Sequence, residues 1–133
     1  MDAQHESIAR HCMAAAHDGT MAFPDIVARL IGAGFDGYLV DYRLDRTTYY
    51  LSTGESLALD NPSRGGTVAA AFDAEGVAAQ VRWAQANPPD YSYGAFSRNV
   101  TACGCAGYLV SFSGRRVLYF GRSGETHTEH FPR

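Results

Sequence analysis

The chain contains no lysine, and its eleven basic residues are arginines scattered from Arg10 to Arg133. Fourteen acidic residues give a formal net charge of −3, and only Arg115 and Arg116 are adjacent among the basic residues. Proteins that bind nucleic acids usually carry a basic stripe or patch. The charge pattern therefore argues against a nucleic-acid partner.

Cysteine is scarce and long apolar runs are missing. The three cysteines are Cys12, Cys103 and Cys105, an odd number that fits a reducing compartment. The N-terminal segment MDAQHESIAR is polar, without the apolar centre of a signal peptide. No stretch approaches the roughly 18 apolar residues of a membrane span. We expect a cytoplasmic protein with no membrane partner.

The most informative feature is an internal similarity at an offset of 70 residues. Residues 37–56 read GYLVDYRLDRTTYYLSTGES, and residues 107–126 read GYLVSFSGRRVLYFGRSGET. Eight of these twenty positions are identical without a gap, whereas average composition gives about one identity by chance. Two unrelated hairpins with similar turn chemistry are the alternative, but the similarity favours a duplicated unit.

Hydrophobic periodicity gives each half two helices followed by three strands. In the segment 23–33, Ile26, Val27, Leu30 and Ile31 form a helical apolar stripe. Asp73 suits the N-cap of a helix that runs to about Ala86. The other predicted helices cover 4–17 and about 93–102, and the predicted strands cover 37–43, 47–51, 56–60, 107–113, 116–121 and 126–131.

This order predicts an α+β fold made of two pseudo-symmetric ααβββ repeats, about 4–60 and about 73–131, in a single domain spanning 1–133. Hairpins pair antiparallel strands, and runs of helices then strands favour α+β over alternating α/β. We therefore expect helices packed on an antiparallel sheet of about six strands, with an approximate two-fold axis between the halves. The loop 61–66, NPSRGG, is the expected boundary.

The segments FPDIVARLIGAGFDGYLVDY, TTYYLSTGE, GCAGYLVSFSGRRVLYFGRSGE and the closing EHFP carry a family resemblance. The chain resembles, from about residue 4 to residue 132, the YbcV-like family of bacterial and prophage-borne domains of unknown function. Some members of that family are labelled phage envelope proteins. The resemblance implies a shared fold and supplies no chemistry.

A histidine and glutamate cluster, HTEH, stands near the C-terminus. On a strand, His127 and Glu129 share one face while His130 points away. His127 and Glu129 are the candidate catalytic residues, and also candidate zinc ligands, although a third ligand would have to come from elsewhere. A solvated edge strand is the alternative, and on balance we expect neither a metal nor a cofactor.

Two repeat-matched carboxylates, Glu55 and Glu125, follow turn glycines. Across a two-fold axis they could form an acid/base pair. They could equally form structural ion pairs with Arg46 and Arg116, which are matched between the halves in the same way. The second interpretation is the simpler one.

Large apolar side chains point to both faces of the second strand of each repeat. Tyr49, Tyr50, Tyr119 and Phe120, together with Arg46 and Arg116, are the candidate interface or ligand residues. Helices can cover only one face of a sheet, so the other face must stay wet, form a cleft or meet a partner.

The remaining histidines and cysteines carry little functional signal. His5, His11 and His17 recur every six residues, so neighbours lie about 120° apart on a helix and form no common ligand face. The CGC spacing is neither a redox nor a zinc motif, and buried small side chains are expected. No serine elbow, phosphate loop or dinucleotide fingerprint occurs in the sequence.

The sequence thus predicts a non-catalytic binding module. It would bind either a second copy, forming a homodimer through the aromatic sheet face, or a small ligand in the groove between the repeats. The alternative is a small hydrolase-like enzyme that uses His127, Glu129 and Glu125, with or without zinc.

Overall fold

Capping residues set the ends of the helices. A computed structural model describes residues 1–62 and 66–132. Its helices are α1 (Ala3–Asp18), α2 (Phe23–Gly32), α3 (Ala74–Ala86) and α4 (Tyr93–Ala102). The side chains of Asp2, Asp73 and Ser92 accept hydrogen bonds from backbone N–H groups of the first turns of α1, α3 and α4. Gly19 ends α1 in the left-handed conformation, at φ 78°, which glycine adopts without steric cost.

Six strands form one antiparallel sheet. They are β1 (Phe35–Asp41), β2 (Arg46–Leu51), β3 (Ser56–Asp60), β4 (Cys105–Ser111), β5 (Arg116–Gly121) and β6 (Thr126–His130). Their spatial order is β3-β2-β1-β4-β5-β6, and every neighbouring pair is antiparallel. The predicted α+β architecture, with the order ααβββααβββ and six strands, is confirmed. The strands expected at 37 and 107 begin two residues earlier, beyond irregularities in the ladder at Phe35/Gly37 and Cys105/Gly107.

The ladder between β1 and β4 is symmetric about its centre. Leu39 pairs with Leu109, while Gly37 pairs with Ser111 and Asp41 with Gly107. Adding 70 to the first-repeat number and subtracting 70 from the second-repeat number exchanges the last two pairs, which is the signature of a two-fold axis through the Leu39–Leu109 pair. The bounds of α2, β1, β2 and β3 reappear in α4, β4, β5 and β6 at the same offset.

The loops repeat as well. Asp45 and Arg115 both adopt positive φ, 54° and 50°. The backbone N–H of Asn61 donates to the carbonyl of Asp45 at 2.8 Å, and Phe131 donates to Arg115 at 2.7 Å. Matched residues of the two repeats therefore occupy equivalent places, and each can serve as a reference for the other. Of the expected boundary loop 61–66, residues 63–65 lie outside the described residues.

The helices cover one face of the sheet, and buried side chains from both repeats form a single hydrophobic cluster. Leu30 of α2 and its counterpart Val100 of α4 are fully buried against the sheet. The prediction that Ile31 belongs to the buried stripe is wrong, because its side chain is 51% exposed. It follows Leu30 by about 100° around the helix, which turns it away from the sheet. None of the described helices has the length and apolar character needed to cross a membrane.

Candidate functional site

The second face of the sheet carries no helix, and we call it the open face. Its central row crosses all six strands in the order Ala58, Thr48, Leu39, Leu109, Leu118 and Thr128. Leu109 is 41% exposed, and Leu39 and Leu118 are partly exposed. An apolar stripe therefore lies on the surface, centred on the two-fold axis.

One aromatic ring flanks the stripe on each side. Tyr50 of β2 pairs with Gly37, and Phe120 of β5 pairs with Gly107. A Cβ atom added at Gly107 would lie 2.7 Å from the Cζ atom of Phe120, so the ring covers the bare backbone of that glycine. Both aromatic rings are only partly buried.

Only some of the predicted interface residues are accessible to a partner in the structure. Tyr49 and Tyr119 point to the opposite face and are only 4% and 6% exposed beneath the helices. Including them in the interface was wrong, because alternation along a strand places neighbouring residues on opposite faces. Tyr50 and Phe120 are the aromatic residues available to a partner.

The remaining two corners of the open face carry charge. Asp41, Arg46 and Asp60 stand together in one row, and Ser111, Arg116 and His130 occupy the symmetric positions. The Nε atom of Arg46 donates to Asp60 at 2.9 Å, whereas the Nε atom of Arg116 donates to the carbonyl of Gly114 at 3.0 Å.

The two glutamates do not act together. Because β1 and β4 are antiparallel, the turn carrying Glu55 and the turn carrying Glu125 lie at opposite ends of the sheet. Glu55 binds the N-terminal ammonium group, and Glu125 accepts a hydrogen bond from Ser123 at 2.8 Å. The acid/base-pair interpretation is wrong for this geometric reason, and the expected Arg–Glu pairs are replaced by the arginine contacts described above.

His127 and Glu129 do meet, on the helix side of β6. The Nε2 atom of His127 lies 2.5 Å from Oε2 of Glu129, and Nη1 of Arg82 on α3 lies 2.9 Å from Oε1. Burial opposes ionisation of Glu129, but hydrogen bonds from Arg82 and His127 outweigh it and hold its pKa below the usual value. His130 is exposed on the other face, as expected.

This cluster replaces an apolar contact of the first repeat. The matching residues of β3 are Leu57 and Leu59, and Leu59 is 5% exposed in the core. The side chain of Glu129 is only 13% exposed, so a carboxylate occupies a site where its counterpart is a buried leucine. Within residues 1–62 and 66–132, no group of three or more His, Cys, Asp or Glu side chains is placed to hold a metal ion.

A cleft lies where the two repeats meet on the helix side. It has a volume of about 100 Å³, and we call it the α1–α4 cleft. Its lining consists of His17 of α1, Tyr42 and Asp45 after β1, Asn61 and Pro62 after β3, and Tyr93, Gly94, Ser97 and Arg98 of α4. Both repeats contribute residues to its lining.

Hydroxyl groups are concentrated beside this cleft. The hydroxyls of Tyr42 and Ser97 share a hydrogen bond at 3.0 Å, and those of Tyr93 and Tyr108 share another. The hydroxyls of Tyr42 and Ser97 also lie close enough to Tyr93 to lower its pKa, so all four groups form one cluster. Burial raises the pKa of Tyr42 and of Tyr93, so both remain protonated.

His17 forms one wall of the cleft. Its ring lies edge-on to that of Tyr93, with 4.9 Å between the centroids. The prediction that the α1 histidines are surface residues holds for His11, but His17 and His5 are partly buried. The sequence analysis assigned no function to Tyr42, Tyr93 or Ser97, although a signal was available, since a matched residue without the hydroxyl stands 70 positions away from each.

The cysteines are buried to different degrees. Cys12 and Cys105 are 1% and 0% exposed, as expected for small apolar side chains, and Cys103 is intermediate. Burial raises the pKa of the Cys105 thiol to about 11 and also raises those of Cys12 and Cys103. The geometry therefore favours protonated thiols.

No protein-family model matches the chain, and the search of curated proteins finds no match. The class that the structure defines is therefore the fold itself: two ααβββ repeats sharing one six-stranded antiparallel sheet.

Proposed function

We propose that this protein is a non-catalytic binding module that forms a homodimer through its open face. The observation that carries the proposal is the apolar stripe centred on Leu39 and Leu109, flanked by Tyr50 and Phe120. Monomeric proteins seldom leave contiguous apolar surface of this kind in water. A second copy is the simplest occupant, because it presents the same stripe.

The size of the open face supports a moderate affinity. Six strands about 4.8 Å apart and five residues of about 3.4 Å each give a flat area of about 500 Å². Stable interfaces bury about 800 Å² per partner, and side-chain relief brings the accessible area of the open face closer to that value. We therefore expect a dimer that dissociates on dilution in the micromolar range.

The charged corners favour one arrangement of the two copies. Arg46 on β2 and Arg116 on β5 are separated by three strand spacings across the sheet and by four residues along the strands. Together with Tyr50 and Phe120 they mark the corners of a square about 14 Å wide. A two-fold axis along the diagonal from Tyr50 to Phe120 places Tyr50 of one copy against Tyr50 of the other, and Phe120 against Phe120. It also lays the corner with Asp41, Arg46 and Asp60 (net −1) on the corner with Ser111, Arg116 and His130 (net +1). The strands of the two copies then cross at near right angles, a known mode of sheet packing.

The deciding experiment measures mass by size-exclusion chromatography with light scattering from about 1 µM to 500 µM. Wild-type protein is expected to move from one to two times 14.4 kDa. Leu109→Arg places a charge at the centre of the interface and is expected to remain monomeric. Leu44→Arg is the matched control, because Leu44 is 64% exposed in the loop after β1, away from the stripe. A wild-type protein that stays monomeric at the highest concentration refutes the proposal, as does equal dimerisation of Leu109→Arg.

The biological setting is also proposed from the sequence. We place the protein in the cytoplasm, as a prophage-related member of the YbcV-like family, without a nucleic-acid or membrane partner. The quoted hairpin and helix segments and the absence of a basic stripe support this setting. A gel-shift assay with duplex DNA and with RNA at 50 mM salt is expected to show no binding.

A second candidate function is a small hydrolase-like activity at the cluster of Arg82, His127 and Glu129. It is favoured by one observation: the second repeat places this hydrogen-bonded trio where the first has Leu57 and Leu59. A carboxylate that orients a histidine is a common element of acid/base catalysis. The activity is proposed without a metal. Of the three residues, only His127 and Glu129 are common metal ligands, and a catalytic zinc site needs at least three.

A panel of ester, amide and phosphoester substrates tests this second candidate. Activity that is lost in His127→Ala and kept in His130→Ala, an exposed histidine of the same strand, supports it. Equal activity in the wild type and His127→Ala eliminates it. Metal analysis of protein purified without a histidine tag is run in parallel, and stoichiometric zinc would contradict the metal-free version.

A further inference from the structure

At several matched positions only one repeat carries a side-chain hydroxyl group, and three of these pairs concern the α1–α4 cleft. The matched pairs are Tyr93 and Phe23, Tyr42 and Phe112, and Ser97 and Val27. In each pair the residue with the hydroxyl lines the α1–α4 cleft. Since the same fold accommodates Phe, Phe and Val at the symmetric positions, it does not require these hydroxyls. Hydrogen bonds within the cluster offset the cost of burying these hydroxyls, and their concentration at one cleft marks it as the candidate site for a polar ligand.

A fourth difference opens the cleft. Asn61 and Phe131 are placed by equivalent backbone hydrogen bonds, to Asp45 and Arg115 respectively. The Phe131 ring packs edge-on against Phe23, with 5.8 Å between centroids, and the Arg115 guanidinium lies 5.8 Å from its centroid. The Phe131 ring thus fills a space beside β6. The equivalent space beside β3 is the cleft, because Asn61 has only a short amide side chain.

The described residues of the cleft offer donors and acceptors, and their formal charges sum to zero. Each hydroxyl can donate and accept. Burial lowers the pKa of His17, so its neutral ring offers one donor and one acceptor at pH 7. Among the lining residues that the structure describes, Arg98 is exposed and Asp45 is half-buried, and these two carry opposite charges. Asn61 uses its Oδ1 atom to accept from Thr47 at 2.6 Å, which leaves its amide N–H₂ for other partners.

The volume limits the occupant. An enclosed cavity of about 150 Å³ accommodates benzene, so an open cleft of about 100 Å³ takes a molecule of about six non-hydrogen atoms. A hydroxyl-rich lining whose described residues carry one charge of each sign matches a ligand that is itself uncharged and carries several hydroxyls.

We propose that the α1–α4 cleft binds a small uncharged polyol of glycerol size, held by the hydroxyls of Tyr42, Tyr93 and Ser97 and by the ring of His17. The site is independent of the open face, because it lies on the helix side of the sheet. Its failure would leave the proposed dimer untouched.

Titration of the ¹⁵N-labelled full chain with glycerol, followed by amide chemical shifts, tests the proposal. We expect saturable shifts confined to the cleft, including the amides of Gly94 and Ser97. Acetate and glycine are titrated as charged and zwitterionic probes and are expected to produce no saturable shifts there. A stronger response to either probe refutes the uncharged class, and the absence of any saturable response, with only ordered water in the cleft, refutes the site.

Substitutions taken from the symmetric position supply folded variants. Asn61→Phe introduces the ring that Phe131 provides on the other side and is expected to weaken binding at least tenfold. Ser97→Val and Tyr93→Phe remove single hydroxyls and are expected to weaken it about threefold to tenfold. Phe23→Tyr, which adds a hydroxyl at the symmetric position, is the matched control and should leave glycerol binding unchanged. Wild-type affinity in Asn61→Phe and Ser97→Val would overturn the proposal.

Discussion

Leu39 and Leu109 face each other at the centre of the β1–β4 ladder, and they occupy equivalent positions in the two repeats. The symmetry that this pair defines gives nearly every buried residue a reference residue in the same chain. Differences between matched residues therefore separate what the fold requires from what it merely accommodates. The predictions below use this comparison.

Gly34 and Gly104 share a backbone conformation but differ in packing, so substituting each with alanine separates the two contributions to stability. Both adopt positive φ, 94° and 86°, so alanine at either position costs about 1 kcal/mol of stability. A Cβ atom at Gly104 would also lie 1.9 Å from the carbonyl oxygen of Ala71, whereas nothing lies within 4 Å at Gly34. Gly104→Ala should therefore destabilise the protein by at least about 2 kcal/mol more than Gly34→Ala in urea unfolding. Equal losses would contradict the packing of the segment before α3.

The polar cluster on β6 should be dispensable for stability. The double substitution His127→Leu, Glu129→Leu gives β6 the side chains that β3 carries at the matching positions. The pair is largely but not fully buried, and replacing a fully buried ion pair with packed apolar residues is often neutral or stabilising by about 1–4 kcal/mol. We expect an unchanged or higher free energy of unfolding, whereas Glu129→Ala alone, which leaves His127 without its acceptor, should lower it by about 1–3 kcal/mol. A double variant less stable than Glu129→Ala would show that this site cannot accept leucines.

The same cluster predicts a pH dependence of stability. Hydrogen bonds from Arg82 and His127 lower the pKa of Glu129 below its usual value of 4.5 despite the burial that opposes ionisation. A lowered pKa in the folded state means that the stabilisation is complete above about pH 4.5 and is lost as the pH falls further. Unfolding measured from pH 7 to pH 3 should therefore show a smaller acid loss in Glu129→Gln than in the wild type. Arg82→Gln, which removes one of the two donors, should be intermediate, and identical profiles for all three proteins would argue against the contact.

The cysteines should differ in reactivity in the folded protein. Burial raises the pKa of Cys105 to about 11 and leaves neither it nor Cys12 accessible, while Cys103 is partly exposed. Since the thiolate is the reactive form, iodoacetamide at pH 8 should modify Cys103 first and the other two only after unfolding. Peptide mapping by mass spectrometry measures the order. Rapid modification of Cys105 in folded protein would contradict the burial.

Much of the fold could be predicted from the sequence because its signals are local. The offset of 70 residues defined the repeat, and Asp73 marked the start of α3 through its capping chemistry. Alternation along β2 separated Tyr49 from Tyr50, but all four ring-bearing residues were grouped into one interface. That grouping was wrong because the sequence does not say which face of the sheet the helices cover.

The α1–α4 cleft could not be predicted in the same way. Its residues come from the end of α1, the loop after β1, the segment after β3 and the start of α4, and only the packing of the two repeats brings them together. Tyr42 and Phe112 are matched and similar in shape, which makes the single hydroxyl that distinguishes them easy to overlook in the sequence. Glu55 and Glu125 show the opposite case. Their matched positions suggested that they could lie together, but the antiparallel pairing of β1 and β4 places them at opposite ends of the sheet.

The β1–β4 ladder also determines how two chains could become entangled. It is the strand pairing that joins the repeats, and its symmetry allows β1 of one chain to meet β4 of another in unaltered register. Two chains could thus exchange their second halves without changing a single backbone hydrogen bond of the ladder. Such an exchanged pair forms only after the ladder has opened and persists on dilution, whereas a dimer formed by contact of two open faces separates within the time of mixing.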